Sequence, residues 1–191
     1  MVNTSKQQAE WNPRPSVAYH PESHDHFAPP DAPSPSAPQT VETFAPTPQP
    51  TVSLSFDHLK AFETVDRQFK HMGVTFKNAI ALKPSNPAFQ PDQGEIVLMG
   101  SPRGGWLEAS FDHPVRFVSG MVTGSRKTVM AAFDGNNRQI AQTATAGANL
   151  AGSNAAIPPG LELKLLAMDI RRITFHTFDG QLTINELGFG G

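Results

Sequence analysis

From Thr51 onward the chain is a series of short apolar–polar alternations divided by Gly, Pro, Asn and Asp. A period of two sends successive side chains to opposite faces of a strand, so each run predicts a half-buried β-strand. Val52, Leu54 and Phe56 alternate with Ser53, Ser55 and Asp57 in this way. Between His58 and Met72 the period lengthens: Phe62, Val65, Phe69 and Met72 recur three and four apart, and Gly73 follows as a stop. That spacing predicts one or two short helical turns. A strand over 74–82 comes next, with Val74, Phe76, Ile80 and Leu82 inward. Asn78 shares their face, so it needs a hydrogen-bond partner if buried.

Pro84, Pro87 and Pro91 mark a loop, after which strands are predicted over 95–99, 106–111, 115–123, 128–134 and 138–145. Asp134-Gly135-Asn136-Asn137 supplies residues that tolerate positive φ, as a hairpin turn requires. Ser101-Pro102-Arg103-Gly104-Gly105 reads as another hairpin connection, and Ala146 to Pro159 as a small-residue loop. Three last strands fall over 161–168, 170–178 and 181–189. In the final one, Leu182 and Ile184 have one parity and Leu187 and Phe189 the other. One extra residue at Asn185 or Glu186, a β-bulge, returns both pairs to the core. The alternative is a strand that stops at Ile184 and restarts after a turn. Nine or ten short strands with a single weak helix predict an all-β fold, a jelly-roll-like antiparallel β-sandwich.

Composition separates this domain, residues 51–191, from what precedes it. Of 18 prolines, 11 lie in the first 50 residues, where aliphatic side chains are few. Prolines fix φ and remove donors, and too little apolar surface lies between them to offset ordering entropy. A disordered, Pro-rich N-terminal tail is predicted. Its Pro30–Pro33 and Pro35–Pro38 spacings suit an aromatic groove on a partner, although a semi-rigid spacer is the ordinary reading. Trp11, Tyr19, Phe27 and Phe44 are isolated aromatics that could anchor a protein partner.

The net charge is −2, with two basic and five acidic residues in the tail and a nearly neutral remainder. That is no electrostatic footprint for nucleic acid, so no nucleic acid is expected. No apolar run approaches the roughly 18 residues of a membrane span, and the N-terminus shows no apolar signal region. From these features alone the expectation is cytoplasmic by default. Without cysteine there is no disulfide, thiol nucleophile or thiolate metal site.

With these strands placed, several segments carry a resemblance. They are Leu54-Ser55-Phe56-Asp57-His58-Leu59, Gly73-Val74-Thr75-Phe76-Lys77-Asn78-Ala79, Ala131-Ala132-Phe133-Asp134 with Gly135-Asn136, and the closing segment from Leu182 to Phe189. Together they resemble the β-sandwich domain of bacterial exported proteins associated with PEP-CTERM sorting tails, over residues 52–189. The resemblance implies a jelly roll related to galactose-binding and carbohydrate-binding modules, without catalytic residues. It also implies a structural calcium ion where first and last strands meet, for which Asp57 and Glu186 are the residues to test. A plain edge-strand acid at each position is the alternative. The chain shows no Pro-Glu-Pro motif followed by an apolar anchor and a basic end, and that departs from the family pattern.

For catalysis, the sequence carries no Gly-x-Ser-x-Gly, phosphate-binding glycine loop or HExxH. Glu95, Glu108, Glu162 and Glu186 sit in alternating strand positions, where a solvated face is the ordinary explanation. No enzyme is expected. His20, His24 and His26 are spaced as transition-metal ligands, but ordering the tail would weaken such a site. Alternation puts Leu107, Ala109 and Phe111 on one face and Trp106, Glu108 and Ser110 on the other. An indole on a polar face can stack on a sugar ring, or it can cap the core's end. Trp106 and Glu108 are therefore the candidate ligand-binding pair. The sequence thus predicts a non-catalytic module for glycan or cell-surface material; the alternative is an assembly component that docks through its tail.

Overall fold

The computed structural model describes residues 50–91, 93–100 and 105–191. The tail aromatics Trp11, Tyr19, Phe27 and Phe44, the tail histidines, the proline spacings and the connection through 101–104 lie outside the described residues. The strands are β1 (Val52–Ser55), β2 (Thr64–Val65), β3 (Val74–Lys77), β4 (Ala79–Leu82), β5 (Val97–Gly100), β6 (Trp106–Gly124), β7 (Thr128–Phe133), β8 (Gln139–Ala144), β9 (Leu161–Thr177) and β10 (Leu182–Gly190). Single 3-10 turns sit at Lys70–Met72 and Pro87–Phe89. Every strand pairing is antiparallel, and the fold is the all-β sandwich that the alternation predicts.

One hydrogen-bonded ribbon makes both layers, because β6 and β9 run through each. The first half of β6 lies between β3 and the end of β9, which continues to β7 and β8. The second half of β6 lies between the start of β9 and β10. The far edge of β10 pairs with β1 at one end and β5 at the other, and β5 leads to β4 and β2.

Sequence reading separates 106–111 from 115–123 and 161–168 from 170–178; the structure joins each pair into one long strand. The breaks read as strand ends are corners. At the β6 corner the register shifts on both sides of Val115, and Asp112, His113 and Pro114 are exposed. Pro114 has no N–H to withhold from a ladder there. On β9 the matching kink has Asp169 at φ 62°, a left-handed conformation that Asp tolerates better than most residues. The corner also inverts parity along β6. Leu107, Ala109 and Phe111 are buried before it, and Val118, Gly120 and Val122 after it.

The same device works twice more. Register slips between Ile184 and Glu186, so Asn185 is the bulged residue; Leu182, Ile184, Leu187 and Phe189 are all buried. Asn78, at φ 60°, breaks the predicted 74–82 strand into β3 and β4. Ala79 and Ala81 consequently face the core in place of Ile80 and Leu82, a correction to the simple alternation. Asn78 is half-buried and its Nδ2 donates to the Trp106 carbonyl at 2.6 Å.

The short turns expected over 58–72 are present, the last as the 3-10 turn Lys70–Met72, and Thr64–Val65 adds the short strand β2. The Phe62 N–H donates to the Ala81 carbonyl (2.7 Å), the Ala81 N–H to Glu63 (2.9 Å) and the Phe76 N–H to Asp66 (2.8 Å). Those bonds tie the segment to β3 and β4, so Phe62 is 80% exposed while Val65 and Phe69 are buried. Phe69 packs edge-on against Phe56 and Phe76, with ring centroids 5.7 Å away in each case. Gly73 caps the final turn at φ 85°.

The layers meet closely where β6 carries Gly120. A Cβ there would lie 2.7 Å from the tip of the fully buried Phe175 ring in the opposite layer. Phe111 and Phe189 bridge the layers elsewhere, with centroids 4.9 Å apart. Asn149, fully buried in the 146–160 loop, accepts from the Gly124 N–H (2.7 Å) and donates to the Val122 and Pro158 carbonyls (2.8 and 3.1 Å). Gly120→Ala should destabilise the domain by roughly 1–3 kcal/mol through overpacking. Urea unfolding would measure this, and adding Phe175→Leu should recover part of the loss.

Candidate functional site

The outer face of the first layer gathers residues that sequence spacing alone does not bring together. In register, Trp106 stands opposite His176, Glu108 opposite Thr174 and Lys77, and Ser110 opposite Arg172 and Thr75. Trp106 is half-buried, and the Lys77 ammonium lies 5.9 Å from its ring centroid. Gly100 sits against the Trp106 backbone, where any side chain would collide. Gly100 thus leaves room for the Trp106 main chain, and the indole itself stays partly open.

Glu108 does not stand as a free carboxylate. Its Oε2 accepts from Arg172 at 3.0 Å, and the two side chains retain 16% and 21% of their exposure. Arg172 also lies over the Phe133 ring, 4.0 Å from the centroid, and donates to Asn137 Oδ1 at 3.4 Å. A row Glu108–Arg172–Phe133 thus crosses three strands. Alternation along β6 could propose Trp106 and Glu108. It carried no sign of Arg172, Lys77 or His176, which arrive from β9 and β3 through strand pairing.

Asp57 and Glu186 come together in a different place. Both line a polar cleft of about 450 Å³ on the outer face of the second layer, with Ser53, Ser55, Gln93, Gly94 and Asn185. Asp57 Oδ1 accepts the N–H groups of Glu95 (2.8 Å) and Ile96 (3.1 Å), and Ser55 Oγ donates to Oδ2 (3.1 Å). Gly94, at φ 74°, comes so near that a Cβ would lie 2.5 Å from the carboxylate. Those donors, the two backbone N–H groups above all, hold the Asp57 pKa below the ordinary aspartate value against a small burial penalty. Glu186 Oε1 accepts from Ser53 Oγ at 2.7 Å.

Asp57 and Glu186, the pair expected to hold calcium, are thus the two carboxylates of one cleft. Asp57 spends one oxygen on two N–H donors. No group of three or more His, Asp or Glu side chains converges for a metal among the described residues. The carboxylate's evident work is to pin the 93–96 segment. At the β7–β8 turn, Asp134 does a similar job. It accepts from the Asn136 and Arg138 N–H groups (2.9 Å each), and its pKa is lowered chiefly by the Arg138 bond.

No family model matches the chain, and no curated protein matches it. Among solved structures it is similar to the CBM22-1 xylan-binding domain of Paenibacillus barcinonensis Xyn10C, at 15% identity and a TM-score of 0.38, covering 72% of this chain and 92% of that one. It is also similar to the K1 cleaved adhesin domain of Lys-gingipain from Porphyromonas gingivalis, at 10% identity and a TM-score of 0.40, covering 73% and 97%. A third similarity is to CpGH89 from Clostridium perfringens, at 14% identity and a TM-score of 0.39; it covers 62% of this chain and spans 14% of that protein. The neighbours thus include carbohydrate-binding module domains, while the sorting-tail family itself is not matched. At these scores the similarities carry no weight for ligand or activity.

Two outcomes follow from the geometry. Arg172→Met should cost about 1–2 kcal/mol in thermal or urea unfolding, since it removes a mostly buried ion pair and a cation–π contact. Asp57 contributes stability that is complete above its unfolded pKa and is lost as pH falls through its lowered folded value. The Glu95 and Ile96 amide resonances should therefore titrate with a midpoint below the ordinary aspartate value. In Asp57→Asn that transition should vanish.

Proposed function

We propose that this domain is a non-catalytic binding module for glycan or glycan-rich cell-surface material, and that the ligand lies on the outer face around Trp106. The observation carrying this reading is the half-buried indole on a polar sheet face beside Lys77, His176 and the Glu108–Arg172 pair. The C–H face of a sugar ring packs on an aromatic plane, and its hydroxyls need donors and acceptors held in place nearby. Glu108 keeps one carboxylate oxygen outside its ion pair, and His176 adds a ring nitrogen across the strand pair. Binding to a preformed face of this kind needs no movement of the fold.

The test is isothermal titration of the full chain with a panel of neutral and acidic oligosaccharides. Trp106→Ala should weaken the strongest interaction at least tenfold, about 1.4 kcal/mol, with the unfolding midpoint little changed. Unaltered affinity in a folded Trp106→Ala protein would remove this face as the site.

A further inference from the structure

The cleft on the second layer is a gap in the ribbon with an origin in the strand order. Ile184 of β10 pairs with Leu98 of β5, and Glu186 pairs with Ser55 of β1; no strand covers the edge between them. Asn185 occupies that gap and is also the residue the bulge leaves without a partner on β6. Bulges re-aim side chains in this manner, and Asn185 lines the cleft. The opposite wall is the 93–96 segment, which Asp57 fixes through two backbone N–H groups.

From this we infer that the cleft is a second ligand site, taking a polyhydroxylated ligand of about one or two sugar units that carries no negative charge. The size rests on the 450 Å³ of the cleft, within the range of roughly 300–1,000 Å³ usual for small-molecule sites. The hydrogen-bonding chemistry rests on Asn185 and Gln93, whose side-chain amides make no hydrogen bond among the described residues. Each offers two donors and an acceptor, the pattern that vicinal hydroxyls satisfy. Asp57 and Glu186 add acceptors already oriented by Ser55 and Ser53. Charge sets the selectivity: two carboxylates line the cleft, and no Lys, Arg or His lines it among the described residues. A uronate or sulfated sugar would meet repulsion without a compensating cation. Ile96 and Met121 give an apolar floor for the ring's C–H face.

The inference rests on the glycan reading, and the experiment separates the two. The full chain is titrated with xylohexaose, cellohexaose, a galactose hexamer, a glucosamine hexamer and hexagalacturonate, alongside Asn185→Ala, Gln93→Ala, Glu186→Gln and Trp106→Ala. Asn185→Ala and Gln93→Ala should each weaken at least one uncharged or aminated oligomer tenfold or more. Gln93 lies outside the strands, so its variant keeps the test valid if Asn185→Ala unfolds. Hexagalacturonate should not protect the Glu95 and Ile96 amides, and Glu186→Gln should raise its affinity. If Trp106→Ala abolishes binding while the cleft variants bind normally, the cleft inference falls and the glycan reading stands. Equal protection of those amides by hexagalacturonate also overturns the cleft inference. If no oligosaccharide binds the unaltered chain, both fall.

Discussion

The structure depends on keeping apolar side chains inward along strands that are too long to stay in one layer. A β-strand changes face at every residue, so a 19-residue strand crossing from one sheet to another exposes half its core unless its parity is reset. Here the reset is made by irregularities: the β6–β9 corner around Val115 and Asp169, the bulge at Asn185 and the left-handed Asn78. On β6 and at Asn185 the reset falls where the apolar pattern inverts, whereas at Asn78 it turns Ala79 and Ala81 inward in place of Ile80 and Leu82. Asn78 and Asp169 take positive φ at two of these points, which their short polar side chains tolerate better than most. Gly120 completes the arrangement by letting Phe175 of the other layer approach the β6 backbone.

The same irregularities shape the surface. The Asn185 bulge lies where β10's edge passes from β1 to β5, so the correction that saves the core also opens a polar cleft on the outside. Asn78, which flips parity between β3 and β4, donates to the Trp106 carbonyl and helps hold the start of β6 under the first layer's outer face. Core packing and surface chemistry are therefore linked through few residues. Substituting them would change both, which is why Gln93 is the cleaner probe of the cleft.

Acidic residues divide by what surrounds them. Asp57 and Asp134 are bound by backbone N–H groups and serve as turn and segment anchors, with lowered pKa values. Glu108 is committed to Arg172 in a partly buried pair. Such a pair adds modest stability and links Glu108 to Phe133 through Arg172.

The amino-acid pattern by itself determined the fold class, most strand positions, the inward identity of Leu54, Phe56, Leu107, Ala109, Phe111, Ile184 and Phe189, and the bulge in the last strand. These are local properties, since period-two alternation and its interruptions are visible within a few residues. Three features were decided by tertiary structure. The breaks after Phe111 and Met168 became corners instead of strand ends, because continuing the ladder across them keeps backbone groups paired. Thr64–Val65, within the expected turns of 58–72, became a strand because β4 offered its backbone groups partners. The chemical neighbours of Trp106 and Asn185 arrive from strands up to 70 and 132 residues away, as His176 and Ser53 show. Which residues meet across strands depends on register and strand order, and those are set by the burial of the whole core, not by any one segment's composition.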